Sequence, residues 1–277
     1  MSDVLARTCP SCAQPVPVES RFCRACGAEQ PLPPAPPSAE TKVPWHAGEA
    51  LLVFVLNLVA TGVVIYVLAG PANLTDDAVT VWAIIANELL LIALTVVWVR
   101  ARHGLGLRAL GVHDVTIRSV GLGMGIGLLG LVATALVTSI VLRIIEAVGD
   151  GPVETPQQIE LSADPSTAML VVIGLGVVVL APIAEELFFR GFLLAGLRRF
   201  MRLWPAVLIS AALFAVVHIY PLVIPAIFVL GVILAVLVER RRSIVPAIAA
   251  HMTFNAAAFT VLVLDESLTA GLLHRLG

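Results

Sequence analysis

Residues 167–190 read TAMLVVIGLGVVVLAPIAEELFFR. An uncharged apolar run ends in two adjacent acids, Glu185 and Glu186, and an arginine, Arg190. A transmembrane helix needs about 20 consecutive, mostly apolar residues, so this stretch is long enough to span a bilayer while carrying ionisable groups. A charge at mid-bilayer costs about 2.5–3.5 kcal/mol on insertion scales, and a group kept there against that cost is a functional candidate by default.

The rest of the chain agrees with this reading. Its 277 residues are 59% hydrophobic and 13% charged, with a mean hydropathy of +0.99; an average soluble domain carries about 25% charged residues. This excludes a water-soluble enzyme of ordinary composition and a disordered regulator. The net charge of −2 leaves no basic excess for a phosphate backbone, so no nucleic-acid partner is expected. Seven segments have the length and character of spans: Ala47–Gly70, Ala78–Val99, Val120–Ile144, Thr167–Phe189, Trp204–Tyr220, Pro221–Val238 and Ile244–Leu264. The expected fold is an all-α polytopic membrane protein of about seven transmembrane helices over residues 47–277. A tight break is expected at Tyr220-Pro221, because proline disfavours helix in the residue before it. The first 46 residues lack an apolar h-region, so no signal peptide is expected.

Charge sets the orientation. Of 17 lysines and arginines, all but Arg143 and Arg275 fall in alternate segments. They are Arg7, Arg21, Arg24 and Lys42 before span one, Arg100, Arg102, Arg108 and Arg118 after span two, Arg190, Arg198, Arg199 and Arg202 after span four, and Arg240, Arg241 and Arg242 after span six. The positive-inside rule then puts the N-terminus in the cytoplasm, and the C-terminus and the acidic 145–166 loop outside.

Residues 1–28 form a separate object. All 4 cysteines lie there, as Cys9-Pro10-Ser11-Cys12 and Cys23-Arg24-Ala25-Cys26. Two CxxC turns present four thiolates that can close a tetrahedron around one structural zinc ion, with no open position for catalysis. A cytoplasmic location argues against disulfides. Gly27 suits the tight knuckle backbone. The module resembles the short zinc ribbons attached to many bacterial membrane proteins, which implies a protein partner for it. Residues 29–46 are proline-rich and read as a semi-extended linker. The pattern Gly125-x-Gly127-x-x-Gly130 matches a dinucleotide fingerprint, but it lies inside an apolar span with no preceding strand. Gly121/Gly125 and Gly123/Gly127 read instead as faces for close helix packing.

The remaining polar residues within spans form ordered pairs. Glu186 and Arg190 are four apart and share a helix face; Glu185 is rotated from Glu186 by about 100° and serves a different purpose. Span five carries Phe214 and His218, and span seven carries His251 and Asn255, again four apart. Glu88 in span two, beside Asn87, belongs to no motif; it is either protonated and hydrogen-bonded between helices, the preferred reading, or part of the lining of the same cavity. Convergent, these groups supply a general base in Glu185, a second proton-handling group in His218, and oxyanion donors in His251 and Asn255. Counted at 1.5 Å per residue, His251 lies about 10 Å and His218 about 21 Å from their cytoplasmic helix ends, so a common site requires tilted or offset helices.

The ordered trio EExxxR, FxxxH and HxxxN resembles the three motifs of the CPBP family, intramembrane endopeptidases of the CAAX-protease and bacteriocin-processing type. The resemblance covers about residues 165–260; family members often have eight spans, where seven are counted here. It implies a hydrolase of the bacterial plasma membrane that cuts a membrane-associated protein or peptide within the lipid bilayer. By the resemblance, Glu185 activates a water with help from His218, His251 and Asn255 stabilise the oxyanion, and Glu186 and Arg190 hold Glu185. A zinc-dependent version with Glu185, His218 and His251 as ligands stays open, although no HEXXH helix is present and asparagine is a poor zinc ligand. The metal-free mechanism is preferred. A non-catalytic immunity or scaffold protein and a small-solute transporter are the other readings, the last without the internal repeat that transporters often show.

Overall fold

The computed structural model describes residues 6–17, 20, 22–29, 43–70, 72, 76–149 and 166–276. Most of the proline-rich linker and of the acidic loop after α3 lies outside these residues, as do Arg21, Lys42 and the Arg275 side chain. The chain divides into two units, Met1–Lys42 and Val43–Gly277.

In the first unit, β1 (Ala6–Thr8) pairs antiparallel with β2 (Pro15–Pro17), and Phe22 bridges to Glu29. The strands are short because each merely carries the chain into or out of a knuckle. The two knuckles share one geometry: Ala13 N–H donates to Cys9 O, and Gly27 N–H to Cys23 O. Both Ala13 and Gly27 adopt left-handed backbone, with φ of 57° and 73°. Glycine takes that conformation freely, whereas alanine meets its Cβ there.

The second unit is all-helical. Among the described residues its seven helices are α1 (Ala47–Ala69), α2 (Asp76–His103), α3 (Ile117–Val148), α4 (Thr167–Arg198), α5 (Leu203–Val216), α6 (Ile224–Arg241) and α7 (Val245–Leu276), with a 3₁₀ turn at Leu107–Leu110. They coincide with the seven expected segments, and the chain is an all-α polytopic membrane protein. Five, namely α1–α4 and α7, contain a window long and apolar enough to cross a membrane. The other two fall short for different reasons. With 14 residues, α5 is about 21 Å long against a hydrocarbon core of about 30 Å. The end of α6 is charged, with Glu239, Arg240 and Arg241.

Four expectations need correction. Helix α4 does not stop at Phe189 but runs to Arg198, so Arg190 is an interior residue, 2% exposed, rather than a charge outside the membrane. The break expected at Tyr220-Pro221 opens earlier, because α5 already ends at Val216 and α6 starts at Ile224. Here Tyr220 N–H bonds His218 O across Ile219, whose φ of 55° is rare for a β-branched residue. The third concerns the glycines of α3. A methyl group at Gly123 or Gly127 would collide with the Pro246 or Ala250 carbonyl of α7, whereas Gly121 and Gly125 have nothing within 4 Å; one pair packs, and the other faces open space. Lastly, Val43–His46 belong to the membrane unit, where Trp45 is fully buried and donates from Nε1 to Phe192 O at 2.9 Å.

The start of α1 and the ends of α2, α4 and α6 gather at one end of the bundle. Glu49 of α1 receives Trp98 Nε1 and His103 Nε2 of α2, each at 2.9 Å. Arg198 of α4 pairs with Glu239 of α6 at 3.2 Å, and Arg199 bonds Pro44 O. The apolar core lies inward of these polar clasps, around Phe188, Phe192, Phe214 and Leu193.

Candidate active site

Helix α4 is not a regular α-helix. Two stretches, Leu175–Leu180 and Glu186–Leu194, are wound as π-helix, a form found mostly as short bulges and often at functional sites. The first has an identifiable consequence. Ala181 N–H bonds Gly176 O, five residues back; the next such bond would run from residue 182 to Val177, but Pro182 has no N–H to give. The Val177 carbonyl accepts from Asn255 Nδ2 of α7 at 2.8 Å instead. In the second stretch Phe189 O accepts from Ser210 Oγ at 3.1 Å, beside the Trp45 bond to Phe192 O. Side chains of three other segments are thus anchored on α4 carbonyls.

The second π stretch begins at the acidic pair. Glu186 is fully buried; its Oε1 accepts from Arg190 Nη1 at 2.8 Å and lies 3.1 Å from His251 Nδ1. The Arg190 guanidinium donates from Nη2 to Gly231 O of α6 at 3.3 Å and sits 4.2 Å from the ring centre of Phe214. Such a pair must be held from several sides, since a buried charge that lacks partners costs several kcal/mol. The Glu185 side chain keeps 18% exposure and faces His251 Nε2 at 3.7 Å. The two adjacent acids therefore have unlike surroundings, and His251 turns a different ring nitrogen to each.

His218 lies beyond the end of α5, in the turn rather than in the helix. Its Nδ1 is 2.8 Å from Phe214 O. A carbonyl can only accept, so Nδ1 carries the hydrogen, and in the neutral ring Nε2 is left as an acceptor. The Phe214 ring packs edge-on against both histidines, with centroids 5.1 Å from His218 and 5.7 Å from His251. The two histidines thus meet on one ring, although residue counting set them at different depths. The structure brings Arg190, His218 and His251 together around Phe214, with Glu186 on Arg190 and His251 and Glu185 facing His251, while Asn255 stands one turn along α7 against Val177. The sequence reading quoted Phe214 only as the start of a motif. It missed the Gly231 and Val177 carbonyls, which no residue type could have announced.

In the first unit, Cys9 Sγ is 3.8 Å from Cys26 Sγ, and Cys12 Sγ is 3.6 Å from Cys23 Sγ. All four sulfurs lie within 4.8 Å of one another, a group that could hold a metal ion. With Zn–S bonds of about 2.3 Å, tetrahedral zinc separates its sulfurs by about 3.8 Å, which these distances fit; a disulfide needs about 2.05 Å. Although the Gln14 backbone stabilises its thiolate, the neighbouring thiols, Cys26 foremost, push Cys12 up to about 12. Among the described residues, the donor atoms of Glu185, His218 and His251 do not converge in this way.

Residues 167–257 match the family model described as Rce1-like, type II CAAX prenyl endopeptidase. The match takes in α4, α5, α6 and the part of α7 that carries His251 and Asn255, so this region is similar to a family of membrane-embedded proteases acting on membrane-associated substrates. No curated protein and no solved structure matches the chain significantly.

Proposed function

We propose that the chain is an intramembrane endopeptidase hydrolysing a peptide bond of a membrane-associated protein or peptide, with Glu185 as the base. The observation that carries this reading is the unequal setting of the adjacent acids. Glu186 is sealed and neutralised by Arg190, whereas Glu185 stays partly open beside His251. A carboxylate already committed to a guanidinium is a poor proton acceptor, and an uncommitted one can take a proton from water.

Glu185 removes a proton from a water that attacks the substrate carbonyl carbon, and the tetrahedral oxyanion forms. The proton then passes to the amine nitrogen as the C–N bond breaks. His218, with Nε2 free to accept, orients the same water. His251 donates to the oxyanion from Nε2 when its ring is protonated, since Nδ1 is turned to Glu186. Asn255 has two amide hydrogens; the bond to Val177 uses one and aims the other. Glu186 and Arg190 position His251 and Glu185. The division of His251 between two carboxylates supports the metal-free mechanism over one in which Glu185, His218 and His251 ligate zinc.

Zinc belongs, in this reading, to Cys9, Cys12, Cys23 and Cys26, where it folds the ribbon and takes no part in hydrolysis. The ribbon and the arginine-rich ends of α2, α4 and α6 lie in the cytoplasm of a bacterial cell, in keeping with the positive-inside rule. The test is a comparison of protein termini in membranes that hold the wild type or Glu185→Gln. New termini that appear with the wild type alone support the peptidase; identical termini refute it.

A further inference from the structure

The residues ahead of α1, Val43-Pro44-Trp45-His46, form a strap across the C-terminal end of α4, and the mechanism above makes no use of them. The strap lies along one face of that helix. Phe192, Gly196 and Arg199 are spaced i, i+4, i+7, which places them on a common stripe. Each meets the strap: Phe192 O accepts from Trp45 Nε1 at 2.9 Å, and Arg199 donates to Pro44 O. At Gly196 the strap backbone comes so close that a Cβ would stand 2.9 Å from Ala47 N and 3.0 Å from His46 C; the missing side chain is what allows this approach. On its other side the strap is held by α1 and α2. The Trp45 ring packs on that of His103, with centroids 5.8 Å apart. Glu49 accepts from His103 Nε2 at 2.9 Å and from the His46 N–H at 3.4 Å.

Trp45 is also joined to the site. Its ring centroid is 5.5 Å from that of Phe192. Phe192 meets Phe188 at 6.4 Å, Phe188 meets Phe189 at 5.0 Å, and Phe189 meets Phe214 at 5.2 Å. Phe214 is the ring that touches both His218 and His251 and faces the Arg190 guanidinium. Contact between rings is not by itself coupling; the winding of α4 is what the two ends share. Phe188, Phe189 and Phe192 all belong to the π stretch Glu186–Leu194. One residue gained or lost in a winding turns whatever lies beyond it by about 100°. Within this stretch the Phe189 and Phe192 carbonyls are held from outside the helix, by Ser210 and Trp45. The strap thus pins the stretch whose first residue, Glu186, bonds Arg190 and meets His251.

We propose that Trp45 is a positioning residue of the catalytic site: its indole N–H, by holding the Phe192 carbonyl, keeps α4 in the winding that sets Glu185 and Glu186 against His251. The inference rests on the reading of Glu185 as the base. Loss of packing alone would lower stability and nothing else, whereas loss of positioning also moves the histidines.

The test compares Trp45→Phe with Trp98→Phe in the full chain. Each change removes one indole N–H that makes a 2.9 Å bond at the same end of the bundle, but the Trp98 bond goes to Glu49 and not to α4. Two quantities are read: the imidazole nitrogen NMR signals of His218 and His251, assigned by replacing each histidine in turn, and the rate at which new protein termini appear per folded molecule. Trp45→Phe is expected to shift the signals of both histidines and to lower the rate by up to about 100-fold, as a misplacement of about 1 Å does. Trp98→Phe is expected to leave signals and rate as in the wild type. Unmoved histidine signals or an undiminished rate in Trp45→Phe, or equal changes in the two variants, overturn the proposal. Should Trp45→Phe fail to fold, the benzothiophene analogue of tryptophan at position 45 decides. It keeps the shape of the ring and has no N–H, and unmoved signals there refute the role. The signals need no substrate. Shifted signals in a protein that cleaves nothing remove the peptidase reading and leave the positioning, while unmoved signals in an active peptidase do the reverse.

Discussion

His251 Nδ1 lies 3.1 Å from Glu186 Oε1, the oxygen that also accepts Arg190 Nη1 at 2.8 Å. One carboxylate oxygen thus ties α7 to both charged positions of α4. Glu186→Gln removes the charge, strands Arg190 in the core and weakens the hold on His251. Breaking a buried pair from one side costs about 3–5 kcal/mol, so this variant is expected to lose folded yield and melt well below the wild type. Glu185→Gln keeps its shape and is expected to melt near the wild type with peptide cleavage abolished. Thermal melts and a cleavage assay on both variants check the division. Equal losses of stability and activity in the two would refute it.

The i,i+4 pairs were legible in the sequence because a helix repeats every 3.6 residues, and Glu186–Arg190 does form an ion pair inside one helix. The site's assembly was less so. Residue counting placed His218 far from His251 because it measured both from helix starts taken to lie at one level, and a run such as 204–220 looks uniformly apolar whether or not it turns at Val217. The π stretches of α4 were hidden for a related reason: regular periodicity says nothing about where one extra residue is accommodated. Pro182 was the available signal, a helix residue with no N–H, but its effect falls on Val177 and Asn255, far apart in sequence.

The cysteine cluster is expected to hold one zinc per chain without any part in catalysis. Elemental analysis of the full chain should give one equivalent, and Cys9→Ser with Cys26→Ser should lose it while cleavage continues. These two positions remove opposed corners of the group, where Cys9 Sγ and Cys26 Sγ are 3.8 Å apart. One equivalent of zinc retained in the double variant would point to a metal in the membrane unit and favour the zinc-dependent mechanism.

The two glycine pairs of α3 are expected to respond oppositely to bulk. Gly127 sits against the Ala250 carbonyl and Thr253 of α7, while Gly125 has no neighbour within 4 Å. Gly127→Leu must push α3 and α7 apart, and overpacking of this kind costs about 1–3 kcal/mol or more. Because α7 carries His251 and Asn255, activity is expected to fall with stability. Gly125→Leu adds an apolar side chain to an open face and is expected to leave both near wild type. Thermal melts on the two variants check this; equal sensitivity would mean that Gly125 also packs against something.

Asn255 has two separable duties, and Pro182 provides the means to separate them. As an oxyanion donor it contacts charge that exists only in the transition state, so Asn255→Ala is expected to lower turnover by about 10²–10³ with little change in substrate binding. The same change, however, leaves the Val177 carbonyl without the 2.8 Å bond it accepts from Nδ2. An unsatisfied buried group costs about 1–3 kcal/mol; this partly buried carbonyl costs less, but the resulting shift of α4 is enough to depress turnover by itself. Pro182→Ala restores a backbone N–H at the position that would serve Val177 in the π register. In the double variant Pro182→Ala, Asn255→Ala the carbonyl is satisfied again, so stability is expected to recover. Turnover is not, because the oxyanion donor is still missing. Melting temperature and kcat measured on the wild type, the two single variants and the double variant distinguish the duties. Recovery of kcat together with stability would show that Asn255 serves the fold alone and would remove it from the oxyanion hole.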